Sequence, residues 1–136
     1  MAWTMQGMDM ALLVCEDNPV NTLVLQEMLE TFGFEVTCAE DGLAGLEQFA
    51  GTPFPLVLTD IEMPRVDGFG VLVGVRQVEQ QSGRQRSIVV AVTAHATPQD
   101  RRRFLDAGFD DFLAKPFRID DIRALLHRVD PTLGTL

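Results

Sequence analysis

Short apolar runs alternate with amphipathic segments five times along this chain, and that alternation leaves few folds open. Ala11 to Cys15 is the first run, followed by Glu35 to Ala39, Leu56 to Thr59, Ser87 to Thr93 and Asp111 to Ala114. The stronger runs lack polar alternation, which suits strands covered on both faces, as in a parallel sheet. Parallel strands joined by short connections need right-handed helical crossovers. The expectation is an α/β fold: a (βα)5 doubly wound parallel five-stranded sheet with helices on both faces. Such a sheet brings the carboxyl ends of its strands to one edge, where ligands collect.

The intervening segments read as helices with recognisable ends. Pro19 suits a first turn, and Val20, Leu23, Val24, Met28, Leu29 and Phe32 fall on one helical face. The second helix has Leu43, Leu46 and Phe49 as its expected core face. Phe69 to Val78 is a third helix, weakened by Gly70 and Gly74. Thr97-Pro98-Gln99-Asp100 carries a capping pattern for a fourth, and Ile122, Leu125, Leu126 and Val129 form the stripe of a fifth over Ile119 to Val129. Gly33, Gly51 and Gly108 follow helices one, two and four, with Gly83 a looser candidate after helix three, and each is expected to supply a left-handed cap.

With 136 residues the chain suits one compact domain over 10–129, flanked by tails at 1–9 and 130–136. No apolar run approaches bilayer length, and the first ten residues do not read as a secretion signal, so no membrane insertion is expected. The formal charge of −9 argues against direct nucleic-acid binding and favours a basic partner or a bound cation. Cys15 and Cys38 sit in strand-like runs outside any metal-ligand spacing, and read as small core residues in a reducing cytoplasmic setting. His127 is expected to face solvent in the last helical turn. Arg101 to Arg103 read as a solvated helix face.

Chemistry concentrates at the strand ends. Strand one delivers Glu16 and Asp17, strand three Asp60, strand four Thr93 and strand five Lys115. Three carboxylates held close together repel unless a cation neutralises them. Oxygen donors without cysteine or clustered histidine point to Mg²⁺ or Mn²⁺ rather than zinc. Of the 11 cationic side chains ten are Arg, and Lys115 at this edge is the single Lys. A compact ammonium beside a metal suits a phosphate oxygen. With the Thr93 hydroxyl, these groups are expected to form a site for a tetrahedral phosphoryl group, of which Asp60 would be the nucleophile.

The pattern EDN after strand one, TDIEMPRVDG at strand three, T-A after strand four and KPF after strand five resembles the response regulator receiver domain over about residues 10–129. VCEDNPVNTLV and VVAVTAHA are most like receivers of hybrid sensor histidine kinases. The resemblance implies the flavodoxin-like strand order 2-1-3-4-5. It makes Asp60 the phosphoacceptor, and Asp17 and Asp60 direct Mg²⁺ ligands. Glu16 would act through water, and the Glu62 main-chain carbonyl would join the ligand set. Thr93 resembles the switch hydroxyl, Phe112 the aromatic switch position, and Lys115-Pro116 a peptide bond usually cis. The implied donor is a histidine kinase or histidine phosphotransfer domain, with the output target open. Glu16 stands where Asp is commoner, and Phe112 lacks the hydroxyl of the frequent Tyr. Phosphorylation is then expected to change the surface of helix 4, strand 5 and helix 5.

Glu62 and His95, two residues beyond Asp60 and Thr93, are placed to overhang the phosphoryl site. Two other function classes share parts of the pattern. A Mg²⁺-dependent phosphatase with an aspartyl nucleophile wants a second Asp where Glu62 stands. A non-phosphorylated receiver-like binding module would have no need of the full set of acids, Thr and Lys. A nucleotide site is weakest, since neither GxGxxG nor GxxxxGK occurs. The leading expectation is a signalling domain that catalyses its own phosphorylation and dephosphorylation, without turning over an external substrate.

Overall fold

A computed structural model describes residues 11–130. Five parallel strands, β1 (Ala11–Cys15), β2 (Glu35–Ala39), β3 (Leu56–Asp60), β4 (Ile88–Thr93) and β5 (Asp111–Ala114), alternate with five helices. These are α1 (Pro19–Thr31), α2 (Gly42–Gly51), α3 (Gly68–Ser82), α4 (Pro98–Ala107) and α5 (Ile119–Val129). The sheet order is β2-β1-β3-β4-β5, a flavodoxin-like α/β fold. Register aligns the strand ends: Cys15 pairs with Ala39 and Thr59, Asp60 with Val92, and Thr93 with Ala114. The residues immediately after β1, β4 and β5 therefore share one edge with Asp60.

Alternate strand positions feed two cores. Leu12, Val14, Leu56, Leu58, Val90 and Val92 pack with α1 and α5 through Leu25, Leu29, Ile122, Leu125 and Leu126. Leu13, Val57, Val89 and Ala91 pack on the opposite face with α2, α3 and α4 through Phe49, Val71, Leu72, Val75 and Phe104. Each such fully buried Leu or Phe contributes about 1.5–3 kcal/mol relative to an exposed one. Cys15 lies in the second core and Cys38 packs on the first, so the sheet separates the two free thiols. Burial pushes the Cys15 thiol up to about 12, as suits an inert core residue.

Three local expectations are corrected. On α1 the buried residues are Leu25 and Leu29, whereas Val20, Leu23 and Val24 are exposed at 68%, 56% and 40%. The apolar pattern is broad enough for two faces, and the sheet takes the one centred on Leu25. On α2, Leu43 is exposed and Gly45 is buried in its stead. A Cβ on Gly45 would lie 2.4 Å from Cys15 Sγ, so α2 approaches β1 too closely for any side chain there. Gly51 is the last residue of α2 and not a left-handed cap; extended Thr52 caps that helix. Gly33, Gly83 and Gly108 do adopt positive φ after α1, α3 and α4.

The fifth helix follows its expected stripe, and the capping box at Thr97 and Asp100 is present. His127 is exposed. Asp130, assigned by sequence to a tail, is buried as the C-cap of α5. The tail at 1–9 and the rest of the tail at 130–136 lie outside the described residues. Among the described residues no helix is long and apolar enough to cross a membrane.

Candidate phosphoryl and metal site

Glu16 and Asp17 leave β1 just before Asn18 caps α1. The Asn18 side chain accepts from Val20 N and Asn21 N, and Pro19 occupies the first helical turn. That abrupt strand-to-helix change leaves Glu16 buried at 4% exposure, and Asp17 exposed. Glu16 Oε1 accepts from the Asn21 side-chain amide at 3.1 Å. Asp60 ends β3, with Oδ1 accepting from Ile61 N at 2.9 Å. Ligand oxygens of Glu16, Asp17 and Asp60 all lie within 4.8 Å of one another.

Lys115 closes the cluster from β5. Its Nζ donates to Glu16 Oε2 and to Asp60 Oδ2, each at 3.2 Å. Burial and the neighbouring Glu16 carboxylate push Asp60 up to about 6, against the opposing pull of Lys115. Burial works against the Lys115 charge, but the Asp60 and Glu16 carboxylates outweigh it, and the ammonium pKa is raised. Three carboxylates with one ammonium between them form a site short of positive charge, and the all-oxygen donor set fits a hard divalent ion.

Thr93 is buried beside this group, its Oγ1 accepting from His95 N at 3.0 Å. It lines one small cavity with Asp60, Ile61, Glu62, His95 and Lys115. Glu62 and His95 are exposed at its rim. Phe112 lies away from the carboxylates on β5, half-buried, with the Arg101 guanidinium 4.9 Å from its ring centre. The Lys115-Pro116 bond is cis. Arg101 and Arg103 are exposed as expected, but their guanidinium planes cover Phe112 and Phe69, so the run is not merely solvated.

Two supporting features escaped the sequence reading. Asn21 holds Glu16, for which the only signal was its place in the first helical turn after EDNP. The β3–α3 loop, residues 61–67, is tied to α2 through Arg65 and Asp41, which stand 24 positions apart. Where the loop ends, Gly68 N donates to Ile61 O at 2.8 Å. A Cβ on Gly68 would lie 2.5 Å from Asp60 O and 2.8 Å from Ile61 Cα, both main-chain atoms that cannot swing aside. Gly68→Ala is therefore expected to lower stability by about 1–3 kcal/mol and to shift the Ile61 amide resonance. An unchanged melting temperature would show that α3 can withdraw freely.

The family model for the response regulator receiver domain matches residues 12–127. Among curated proteins, hybrid signal transduction histidine kinase L of Dictyostelium discoideum is 34% identical over 119 residues, covering 85% of this chain and 7% of that protein. Sensor histidine kinase GacS of Pseudomonas protegens is 38% identical over 104 residues, covering 76% of this chain and 11% of that protein. The chain thus spans only a small part of the curated relatives it matches. Among solved structures, the receiver domain of a sensor histidine kinase from Pseudomonas aeruginosa PAO1 is 33% identical with a TM-score of 0.77. The match covers 92% of this chain and 98% of that one, and that structure has a magnesium ion in its active-site cleft.

Proposed function

The chain belongs to the response regulator receiver domain family, and from that premise we propose that it accepts a phosphoryl group on Asp60 from a phosphohistidine and works as a phosphorelay switch. The observation that carries this reading is the convergence of Glu16, Asp17 and Asp60 on one point, with Lys115 reaching two of them. Asp60 Oδ2 attacks phosphorus, the P–N bond to the donor imidazole breaks, and its electron pair stays on that nitrogen. Lys115 follows the transferred oxygens as a point charge. Glu16, Asp17, Asp60 and the Glu62 main-chain carbonyl would hold Mg²⁺, which supplies charge neutralisation of the phosphoryl oxygens when bound.

The donor is a histidine kinase or a histidine phosphotransfer domain, and the exposed Val20, Leu23 and Val24 beside the site give it an apolar surface to dock on. Once phosphorylated, Asp60 carries new acceptors that draw the Thr93 hydroxyl inward. Phe112 then moves toward the vacated space and alters the α4, β5 and α5 surface presented to a downstream protein. Return to the ground state is hydrolysis of the aspartyl phosphate by water entering past Glu62 and His95.

The test is incubation with acetyl phosphate and Mg²⁺ followed by intact-mass measurement. The expected result is a single hydroxylamine-labile phosphoryl group on the unmodified protein, none on Asp60→Asn, and none with chelator present. Equal incorporation into Asp60→Asn, or no incorporation at all, would overturn the assignment.

A further inference from the structure

The loop after Asp60 is secured from α2, on the side of the fold away from Lys115. Arg65 is the only non-glycine residue with positive φ among the described residues, at 68°, a conformation unfavourable for a side chain of its kind. That backbone turn delivers its guanidinium to Asp41. Nε and Nη2 both donate to Asp41 Oδ2, the Nε bond at 3.0 Å. Asp41 is itself 4% exposed, and its other oxygen caps α2 by accepting from Ala44 N at 2.8 Å. Next to it, a Cβ on Gly42 would lie 2.1 Å from the Val66 carbonyl, so the loop backbone rests directly on the first residue of α2. No Lys or Arg occurs before Arg65 in the chain, so the acids of the first 60 residues have no cation of their own.

The two ends of the loop meet at Ile61, beside Asp60. Ile61 N holds Asp60 Oδ1 at 2.9 Å, and Gly68 N holds Ile61 O at 2.8 Å. The same Ile61 N–H also reaches Val92 O at 3.3 Å, so the donor that turns Oδ1 aside and leaves Oδ2 facing Lys115 is held between the sheet and the start of the loop that Arg65 secures on α2.

We propose that the Arg65–Asp41 pair is a positioning clamp for phosphoryl transfer: by fixing the β3–α3 loop on α2, it sets the orientation of the Asp60 carboxylate through the Ile61 N–H. Arg65 and Asp41 touch neither the phosphoryl group nor the cation; they act through the loop. The proposal rests on the phosphoacceptor reading, but its first readout does not. Orienting groups one step removed from a metal site usually alter affinity or activity by about 10–100-fold, and the exposed Arg65 side chain places this clamp at about tenfold.

Three variants separate positioning from mere structural support. Arg65→Gly removes the guanidinium and accommodates the positive φ without a Cβ penalty. Asp41→Asn keeps an oxygen to cap α2 but loses the carboxylate. Arg65→Lys keeps a charge without the planar fork. Mg²⁺ affinity is measured by calorimetry on protein without phosphodonor, and the Asp60 phosphorylation rate with acetyl phosphate at saturating Mg²⁺.

Arg65→Gly and Asp41→Asn are each expected to weaken Mg²⁺ binding or slow phosphorylation by about tenfold, with the double variant no worse than either single one. Arg65→Lys should recover part of the loss, and the Ile61 amide should exchange faster in both disabling variants. Unchanged affinity, rate and exchange in Arg65→Gly overturn the clamp, as does a loss confined to Asp41→Asn, which would assign the effect to α2 capping. If the unmodified protein takes up no phosphoryl group, the phosphoacceptor reading fails, while the calorimetric comparison still decides whether the clamp shapes the carboxylate site.

Discussion

Lys115→Ala is expected to slow phosphorylation of Asp60 by about 10²-fold at saturating Mg²⁺ while leaving Mg²⁺ affinity unchanged or tighter. The two effects have one origin. In this structure the ammonium lies 3.2 Å from both Glu16 Oε2 and Asp60 Oδ2, so it serves as the counter-ion of the carboxylates that a divalent ion would claim. Its removal deepens the negative potential for Mg²⁺. During transfer the same group is the only side-chain cation among the residues lining the cavity at Asp60, and its loss leaves developing charge on the phosphoryl oxygens unmatched. A loss of rate by 10² corresponds to about 2.7 kcal/mol of transition-state stabilisation. Stopped-flow phosphorylation and calorimetric titration on the same variant check both halves. A parallel fall in rate and affinity would instead mean that Lys115 merely organises the pocket.

Asp60→Asn is expected to stabilise the metal-free protein at neutral pH by up to about 3 kcal/mol. Burial, then the nearby Glu16 carboxylate, push the Asp60 pKa up to about 6 in the folded protein, from an ordinary value of 3.8. A raised carboxylate pKa means that the folded state binds the proton more tightly than the unfolded state. Stability is therefore greatest below the unfolded value, declines as pH rises from about 4 to 6, and stays lowered above that window. Asn carries no charge to bury and still offers an oxygen to Ile61 N. The advantage of Asp60→Asn should fade as pH falls from about 6 to about 4 and be absent below that, and Mg²⁺ should narrow it at neutral pH by stabilising the unsubstituted protein more. Denaturant melts across pH with chelator and with Mg²⁺ would measure this. Parallel pH profiles for the two proteins would remove the burial cost from the account of the site.

Much of the candidate site was readable because parallel strands impose a simple projection. Once five runs are recognised as strands in βα order, Glu16, Asp17, Asp60, Thr93 and Lys115 must emerge along one edge, whatever the sheet order. The all-oxygen donor set and the single Lys then narrowed the chemistry. Helix surfaces were less legible. Val20, Leu23 and Val24 form one apolar stripe of α1, but the same helix carries Leu25 and Leu29 on another, and the pattern does not say which stripe meets the sheet. Gly45 carries no signal of its own in the sequence, and its purpose appears only with Cys15 placed beneath it.

The amino-acid sequence by itself determined the order of strands and helices, the residue at each strand end, and hence which functional groups share an edge, because burial periodicity and parallel direction are local properties of the chain. Only the tertiary structure decided which groups touch. Lys115 bridging Glu16 and Asp60, Asn21 holding Glu16 and Arg65 locking onto Asp41 depend on how elements pack sideways across the sheet. Lateral packing is a property of volumes and angles summed over many residues, so no single segment carries it.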